Sequence, residues 1–367
     1  MEQMTGGQDP AHLVAWLGFL LSFIFGYVAN KTSFCTMGAV SDVVNMGDWG
    51  RMRAWLLAMA VAMLGTSLLV HLGYLDIAKT YYTRSSIPWL ALVVGGLTFG
   101  VGMTLAGGCG QRTLVRLGGG NLKSLVVFLF LGYSALVTMN GIFRVFVDGV
   151  LRADAVTMHA SGLQTLPALI GMQGAQSQLL VGGALAAVLI VFAFISKEFR
   201  GNLDNITAGV VVGLVVTAGW YVTGKIGLAE NEFMEITYVG TDSKLAESMT
   251  FVGPLAYTMD LWAYWRDKHV TFGVACVFGV VVGSFVYSMF NRTFRWEYFN
   301  SPQDMLRHIV GAVLMGFGGV TAIGCTIGQG VTGISTLAVG SFIVFFGIVG
   351  GAAATMKVQY HLMMREG

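Results

Sequence analysis

The sequence predicts an all-α polytopic membrane protein, with about nine transmembrane helices in an inverted 4+1+4 repeat and four broken, re-entrant segments at the centre. Three observations lead there. Apolar residues make up 55% of the 367 and charged ones 11%, against about 25% in a typical soluble domain, so the chain cannot clothe itself in charge. Uncharged runs of about 18 residues or more recur along its length, and about 20 helical residues cross a hydrocarbon core. One Gly-rich motif occurs twice, 216 positions apart. These features exclude a soluble enzyme. The net charge of +2, with no basic run, excludes nucleic acid as a partner.

In chain order the uncharged runs place spans at 12–30, 54–75, 87–107, 124–147, 177–196, 205–224, 270–290, 308–324 and 334–356. Met1 to Pro10 lacks the basic start and small-residue cleavage site of a signal peptide, so the first run is expected to be a span of the mature chain. Polar connections such as Asp76 to Ser86 are ordinary loops. Four others, Asn30–Asn45, Ala106–Asn121, Met249–Trp265 and Ala322–Ser335, are Gly-rich or interrupted and too apolar for surface loops. Irregular backbone at membrane depth is tolerated only inside protein or beside a wet cavity, so these four are expected to be re-entrant. Gly supplies 51 of the 367 residues, about double the usual 7%. In a membrane such a surplus points to close helix packing or to backbone approaching a ligand.

Phe99 to Cys109, laid over Met315 to Cys325, matches Gly100 with Gly316, Gly102 with Gly318, Ala106 with Ala322, Gly108 with Gly324 and Cys109 with Cys325. At nearly the same offset, Phe34 to Gly38 lies opposite Met249 to Gly253. Each copy, about 11–148 and 203–357, then reads span, broken segment, two spans, broken segment, span. Four crossings return the chain to its starting side, and the linking span at 177–196 turns the second copy over. The repeat is thus expected to be inverted within one membrane transport domain covering 1–367. Inverted repeats with discontinuous helices at their interface are an architecture of secondary transporters and channels. Lys and Arg number thirteen on the side of Lys31, Arg51 and Lys197 and eight on the other. The positive-inside rule then puts the N-terminus outside and the C-terminus in the cytoplasm.

Cys35, Cys109 and Cys325 fall in the broken segments, whereas Cys276 sits in an unbroken span, where packing is its expected role. No C-x-x-C pair suggests a zinc site or a disulfide framework. A thiol is soft, polarizable and a weak donor, so at a pore it can hold a soft sulfur or selenium atom and still release it. Beside the thiols, Gly108, Gly110 and Gly324 can turn backbone N–H groups toward an anion. Gln111, Thr326 and Gln329, with Thr113 and Thr332, can orient an oxyanion without a fixed charge. Arg112, Arg116 and Lys123 follow Cys109 and either pass an anion on or satisfy the positive-inside bias alone. Asp42 and Asp260 are the nearest acids to the broken segments, with pairing or a functional role open to them. His12, His71, His159, His269, His308 and His361 show no metal-ligand spacing, so no metal or cofactor is expected. Trp55, Trp89, Trp220, Trp262 and Trp265 near span ends are expected in the interfacial belts.

Phe34-Cys35-Thr36-Met37-Gly38-Ala39 and Leu105-Ala106-Gly107-Gly108-Cys109, the latter followed by Thr113-Leu114-Val115-Arg116 and Gly120-Asn121, resemble the YeeE/YedE family of sulfur-compound transporters. So do Gly316-Phe317-Gly318 and Gly324-Cys325-Thr326-Ile327-Gly328, and the resemblance covers nearly the whole chain. It implies a bacterial inner-membrane protein whose broken helices meet at an hourglass waist. It further implies thiosulfate uptake, with Cys35, Cys109 and Cys325 as the pore cysteines and no covalent bond or ATP site. Some relatives carry a fused sulfur-carrier domain, so a cytosolic sulfur-carrier or sulfurtransferase partner is expected here as a separate chain. Other relatives are tied to selenium metabolism, which leaves selenium species or another small sulfur-containing anion as alternative cargo. A membrane thiol oxidoreductase is the rival from another class, and the lack of C-x-x-C weighs against it.

Overall fold

The computed structural model describes residues 10–159, 162–172, 174–230, 236–265 and 270–366, and its regular structure is almost all helix. Residues 1–9 of the stretch read for a signal peptide, and His269, lie outside the described residues. Helix α1 (Pro10–Lys31) is followed by the short α2 (Thr36–Ser41), and α3 (Gly50–His71) runs back. Helices α4 (Trp89–Leu105) and α5 (Gly110–Gly118) share one crossing, broken between them, before α6 (Leu122–Asn140) returns. Short helices α7 (Ile142–Phe146) and α8 (Leu166–Leu169) lie in the loop leading to α9 (Ala175–Ile195). After α10 (Lys197–Gly201) come α11 (Leu203–Tyr221), α12 (Val252–Ala263) and α13 (Phe272–Phe290). Helix α14 (Pro302–Thr321), a broken stretch at 326–335 with a π turn over Gly328–Gly333, and α15 (Val339–Glu366) complete the chain. Two small antiparallel ribbons, Ser86–Ile87 with Met158–His159 and Leu228–Glu230 with Ile236–Tyr238, brace the loops of one face.

Among the described residues eight helical runs are long and apolar enough to cross a membrane, and the protein is an all-α polytopic membrane protein. The ninth expected span, 308–324, falls on α14 and the first residues of the break after it; α14 is not among the eight, and its first turns carry Asp304, Arg307 and His308. Loop contacts define the two faces. On the first, Thr80 bridges to Ala246 and Thr165 to Ala338, and the Phe272 amide donates to the Gly240 carbonyl. On the second, the Leu122 amide donates to Glu297 O and the Arg295 amide to Gly119 O.

The breaks have a local cause. Helix α4 ends as the Gly107 amide donates to Thr104 O and the Gly108 amide to Met103 O, with Gly107 left-handed at φ +69°. This is the Schellman stop. At the corresponding place α14 ends the same way, Ile323 to Val320 and Gly324 to Gly319, but the left-handed residue is now Ile323 at φ +58°. A β-branched residue there is strained, so the surrounding packing holds it.

Helix pairings come in matched sets. Helix α1 packs on α13 as α11 packs on α3; α15 packs on α4 as α6 packs on α14; α12 meets α6 as α2 meets α15. Helices α4 and α14 cross each other through glycines 216 apart in pairs. A Cβ on Gly95 would stand 2.8 Å from Gly318 O, and one on Gly102 would stand 2.6 Å from Gly311 O. Gly311 is the repeat counterpart of Gly95, and Gly318 that of Gly102, so the crossing has the reciprocity of a two-fold contact. Missing side chains let the backbones touch, the usual basis of tight helix association in lipid.

Candidate functional site

Four short helical segments begin around one buried point between the halves. Cys35 caps α2, its Sγ accepting from the Gly38 amide at 3.4 Å. Cys325 precedes the broken stretch, its Sγ accepting from the Gly328 amide at 3.4 Å. Cys109 occupies the cap position of α5, its thiol 3.7 Å from Gln111 Oε1, and the ionisable groups acting on it include both Cys35 and Cys325. The fourth position, before α12, holds Thr250, whose Oγ1 lies 4.0 Å from Cys325 Sγ. Helix starts carry unpaired amides and the positive end of the dipole, so α5 and α12 present this point with a surface suited to anions.

All four cysteines are free and buried. Cys276 stands apart in α13, donating to Gly18 O at 3.5 Å across the contact with α1. Gln111 Nε2 reaches Phe34 O at 3.4 Å and so ties α5 to the turn carrying Cys35. Gln329 Nε2 donates to Ala322 O at 2.7 Å and Ile323 O at 3.0 Å, supporting the break above Cys325. Among the described residues the Thr36 hydroxyl and the Gln329 side-chain oxygen are buried without a hydrogen-bond partner, and the Thr326 hydroxyl faces the Cys109 thiol. An orphaned hydroxyl in a closed interior carries a desolvation cost that a bound acceptor removes. The Gly108 and Gly324 amides are already spent on the helix stops, whereas Gly110 opens α5, where first-turn amides have no partner within the helix. Thr113 returns its hydroxyl to Cys109 O at 3.1 Å, and Thr332 bonds Met249 O at 2.6 Å, so both brace the break.

Above Thr250 and Gly324 a cavity of about 400 Å³ opens on the first face. Arg84, Arg144 and Arg152 line it, with Asp148 3.2 Å from both Arg144 and Arg152. The Tyr82 phenol lies between cavity and thiols; burial pushes its pKa well above the usual range, so it remains a hydrogen-bond donor. Glu247 also lines the wall. Burial raises its carboxyl from the usual 4.5 to about 7, against hydrogen bonds from Ser243 that pull the other way. Three cations facing one paired carboxylate and one carboxyl that is half protonated near neutrality give a basic mouth suited to collecting anions.

Thr250, Tyr82 and the three cavity arginines belong to no motif of the sequence; the signal for Thr250 is its place opposite Cys35 in the repeat. The tryptophan expectation needs correction for two residues. Trp89, Trp262 and Trp265 are exposed, but Trp55 and Trp220 are buried. Trp55 stacks on Phe34 at 4.9 Å, beside Cys35, and Trp220 donates to Ser335 Oγ at 3.1 Å. Both brace broken segments rather than meeting lipid headgroups. Asp42 is paired with Arg51, whose Nη2 lies 2.6 Å from Oδ1, and Asp260 lies in α12.

The sulphur transport family matches residues 31–354. The chain is 28% identical over 341 residues to the thiosulfate transporter TsuA of Escherichia coli, covering 85% of each. It is 25% identical over 346 residues to the thiosulfate transporter TsuA of Spirochaeta thermophila, covering 90% of this chain and 95% of the relative. A segment of 102 residues, 27% of this chain and 23% of the relative, is 32% identical to the probable transporter YedE of Escherichia coli. With nearly its whole length matched, the chain belongs to the sulphur transport family and is a transporter, not an enzyme.

Proposed function

We propose that this protein is a permease of the bacterial inner membrane that imports thiosulfate past three thiols. The observation that carries the proposal is the gathering of Cys35, Cys109 and Cys325 with the Thr36 and Thr326 hydroxyls, beneath a basic cavity. Thiosulfate has one soft terminal sulfur and three hard oxygens. The thiols face the sulfur by polarizable, non-covalent contact, while the amides of Gly110 and Gln111 at the start of α5 and the Thr326 hydroxyl donate to the oxygens; Gln329, whose amide hydrogens serve the Ala322 and Ile323 carbonyls, holds the break above Cys325. Gly108 and Gly324 shape the site by stopping α4 and α14. Two curated relatives named as thiosulfate transporters support this choice of cargo over selenium species or another sulfur anion.

The architecture proposed with it is nine crossings in an inverted 4+1+4 repeat, α14 with the stretch 326–335 supplying the ninth and α9 linking copies at about 11–148 and 203–357. The matched pairings and the reciprocal glycines of α4 and α14 support that reading. The cavity face is then periplasmic, with the N-terminus on it and the C-terminus cytoplasmic. A cytosolic sulfur-carrier or sulfurtransferase protein, as a separate chain, would take the sulfur onward. The test is uptake of labelled thiosulfate by cells lacking their own sulfate and thiosulfate importers. Uptake restored by the wild-type chain and lost in Cys109→Ala supports the proposal; sulfate taken up as fast as thiosulfate refutes selection by the soft sulfur.

A further inference from the structure

On the side of the thiols away from the cavity, Arg112 stands in the first turn of α5, three residues after Cys109. It is half-buried, and among the described residues its guanidinium has no hydrogen-bond, ion-pair or ring partner. The thiols of Cys35 and Cys109 and the guanidiniums of Arg116 and Arg51 act on it, and among the described residues neither Arg112 nor Arg116 has a carboxylate ion-pair partner. Arg51 is paired with the Asp42 carboxylate, while Arg116 donates to the neutral Gly107 carbonyl at 2.9 Å. Two uncompensated guanidiniums therefore sit together beside the thiols. Partly desolvated like charges repel, and a bound anion removes that cost.

The repeat argues that Arg112 is not there to build the fold. Its counterpart 216 residues on is Gly328, which likewise follows its cysteine by three positions. A Cβ on Gly328 would crowd the Thr250 hydroxyl and stand 3.5 Å from the Tyr82 hydroxyl. The counterpart position, at the start of a π turn where α5 is an α-helix, carries no side chain, so only the half facing away from the cavity has a cation there.

We propose that Arg112 forms a second anion-binding station, which receives a doubly charged sulfur oxyanion after it has passed the thiols. This rests on the thiosulfate reading for the identity of the cargo. The guanidinium fork takes two oxygens while the sulfur leaves Cys35 and Cys109, and the charge of Arg116 draws the anion on. A station on each side of a soft-sulfur waist keeps a dianion from being stranded at its centre.

The test combines a footprint with transport. In the purified protein, thiosulfate should slow phenylglyoxal modification of Arg112, read peptide by peptide by mass spectrometry, and leave Arg53 unchanged. Equal modification of Arg112 with and without thiosulfate overturns the station. In proteoliposomes, Arg112→Gln and Arg112→Met, which keeps the aliphatic stem, should each cut maximal uptake roughly tenfold or more, the loss of a charge-assisted hydrogen bond. Arg112→Lys should stay within about threefold of wild type, since it restores the charge. Lys and neutral variants that transport alike would overturn the proposal. The footprint decides the station and uptake by the unaltered protein decides the cargo, so the two readings fail separately.

Discussion

Cys109 and Cys276 are both fully buried thiols, and only their surroundings separate them. Cys276 fills a contact between α1 and α13, so Cys276→Ala should leave uptake within about twofold of wild type and cost only the packing of one sulfur atom. Glu247 offers a second test at this scale. Its folded-state pKa is raised to about 7, so protonation stabilises the fold fully below about 4.5, and that contribution disappears as pH rises through about 7. The melting temperature of the detergent-solubilised protein should therefore drop across this window by an amount reflecting a few kcal/mol. Glu247→Gln should flatten the profile; an unchanged profile would show that Glu247 is not the group titrating. Cys35, Cys109 and Cys325 were legible in the sequence because a rare residue type recurs in broken segments. Thr250, Tyr82 and Glu247 were not, because ordinary residues join the candidate site only when distant loops fold over the thiols. Trp55 and Trp220 were misplaced for the same reason: nearness to a span end resembles an interfacial position unless a re-entrant segment covers it.

At the scale of elements, glycine does two jobs that a substitution separates. Gly26 in α1 lies against the Val280 backbone of α13, where an added Cβ would collide with the carbonyl. Gly26→Ala should destabilise the protein by about 1–3 kcal/mol, read as a lower melting temperature and less monodisperse protein. Gly183 in α9 has open space around it, so Gly183→Ala should be neutral or stabilising by up to about 1 kcal/mol, through helix propensity alone. If both variants behaved alike, close backbone packing would not be what Gly26 supplies. Helix positions were largely readable, since long uncharged runs have few alternatives. Bounds were less so: the expected span 54–75 is α3, Gly50–His71, because Arg51 and Arg53 sit in its first turn. Arg51 turns inward to meet Asp42, a pairing that no hydropathy window registers.

For the whole molecule, the repeat was visible because the α4 and α14 motifs carry their glycines in one register, and those glycines are the ones that meet in the crossing. The basic cavity was hidden, because Arg84, Arg144 and Arg152 come from loops far apart in the chain. The proposed orientation makes that mouth periplasmic. A cysteine placed at Gly149, in the loop that carries Asp148, should then react with an impermeant maleimide in intact cells, in a background where the native thiols are buried. One placed at Gly201, on the other face, should not. The most direct test of the account is uptake of labelled thiosulfate into proteoliposomes holding the purified wild-type protein, Cys109→Ala or Cys276→Ala, with and without excess sulfate. The account predicts uptake by wild type and Cys276→Ala, little competition from sulfate, and none above empty liposomes for Cys109→Ala. Undiminished uptake by Cys109→Ala would contradict it, because the anion would then be crossing without the thiol at the centre of the site.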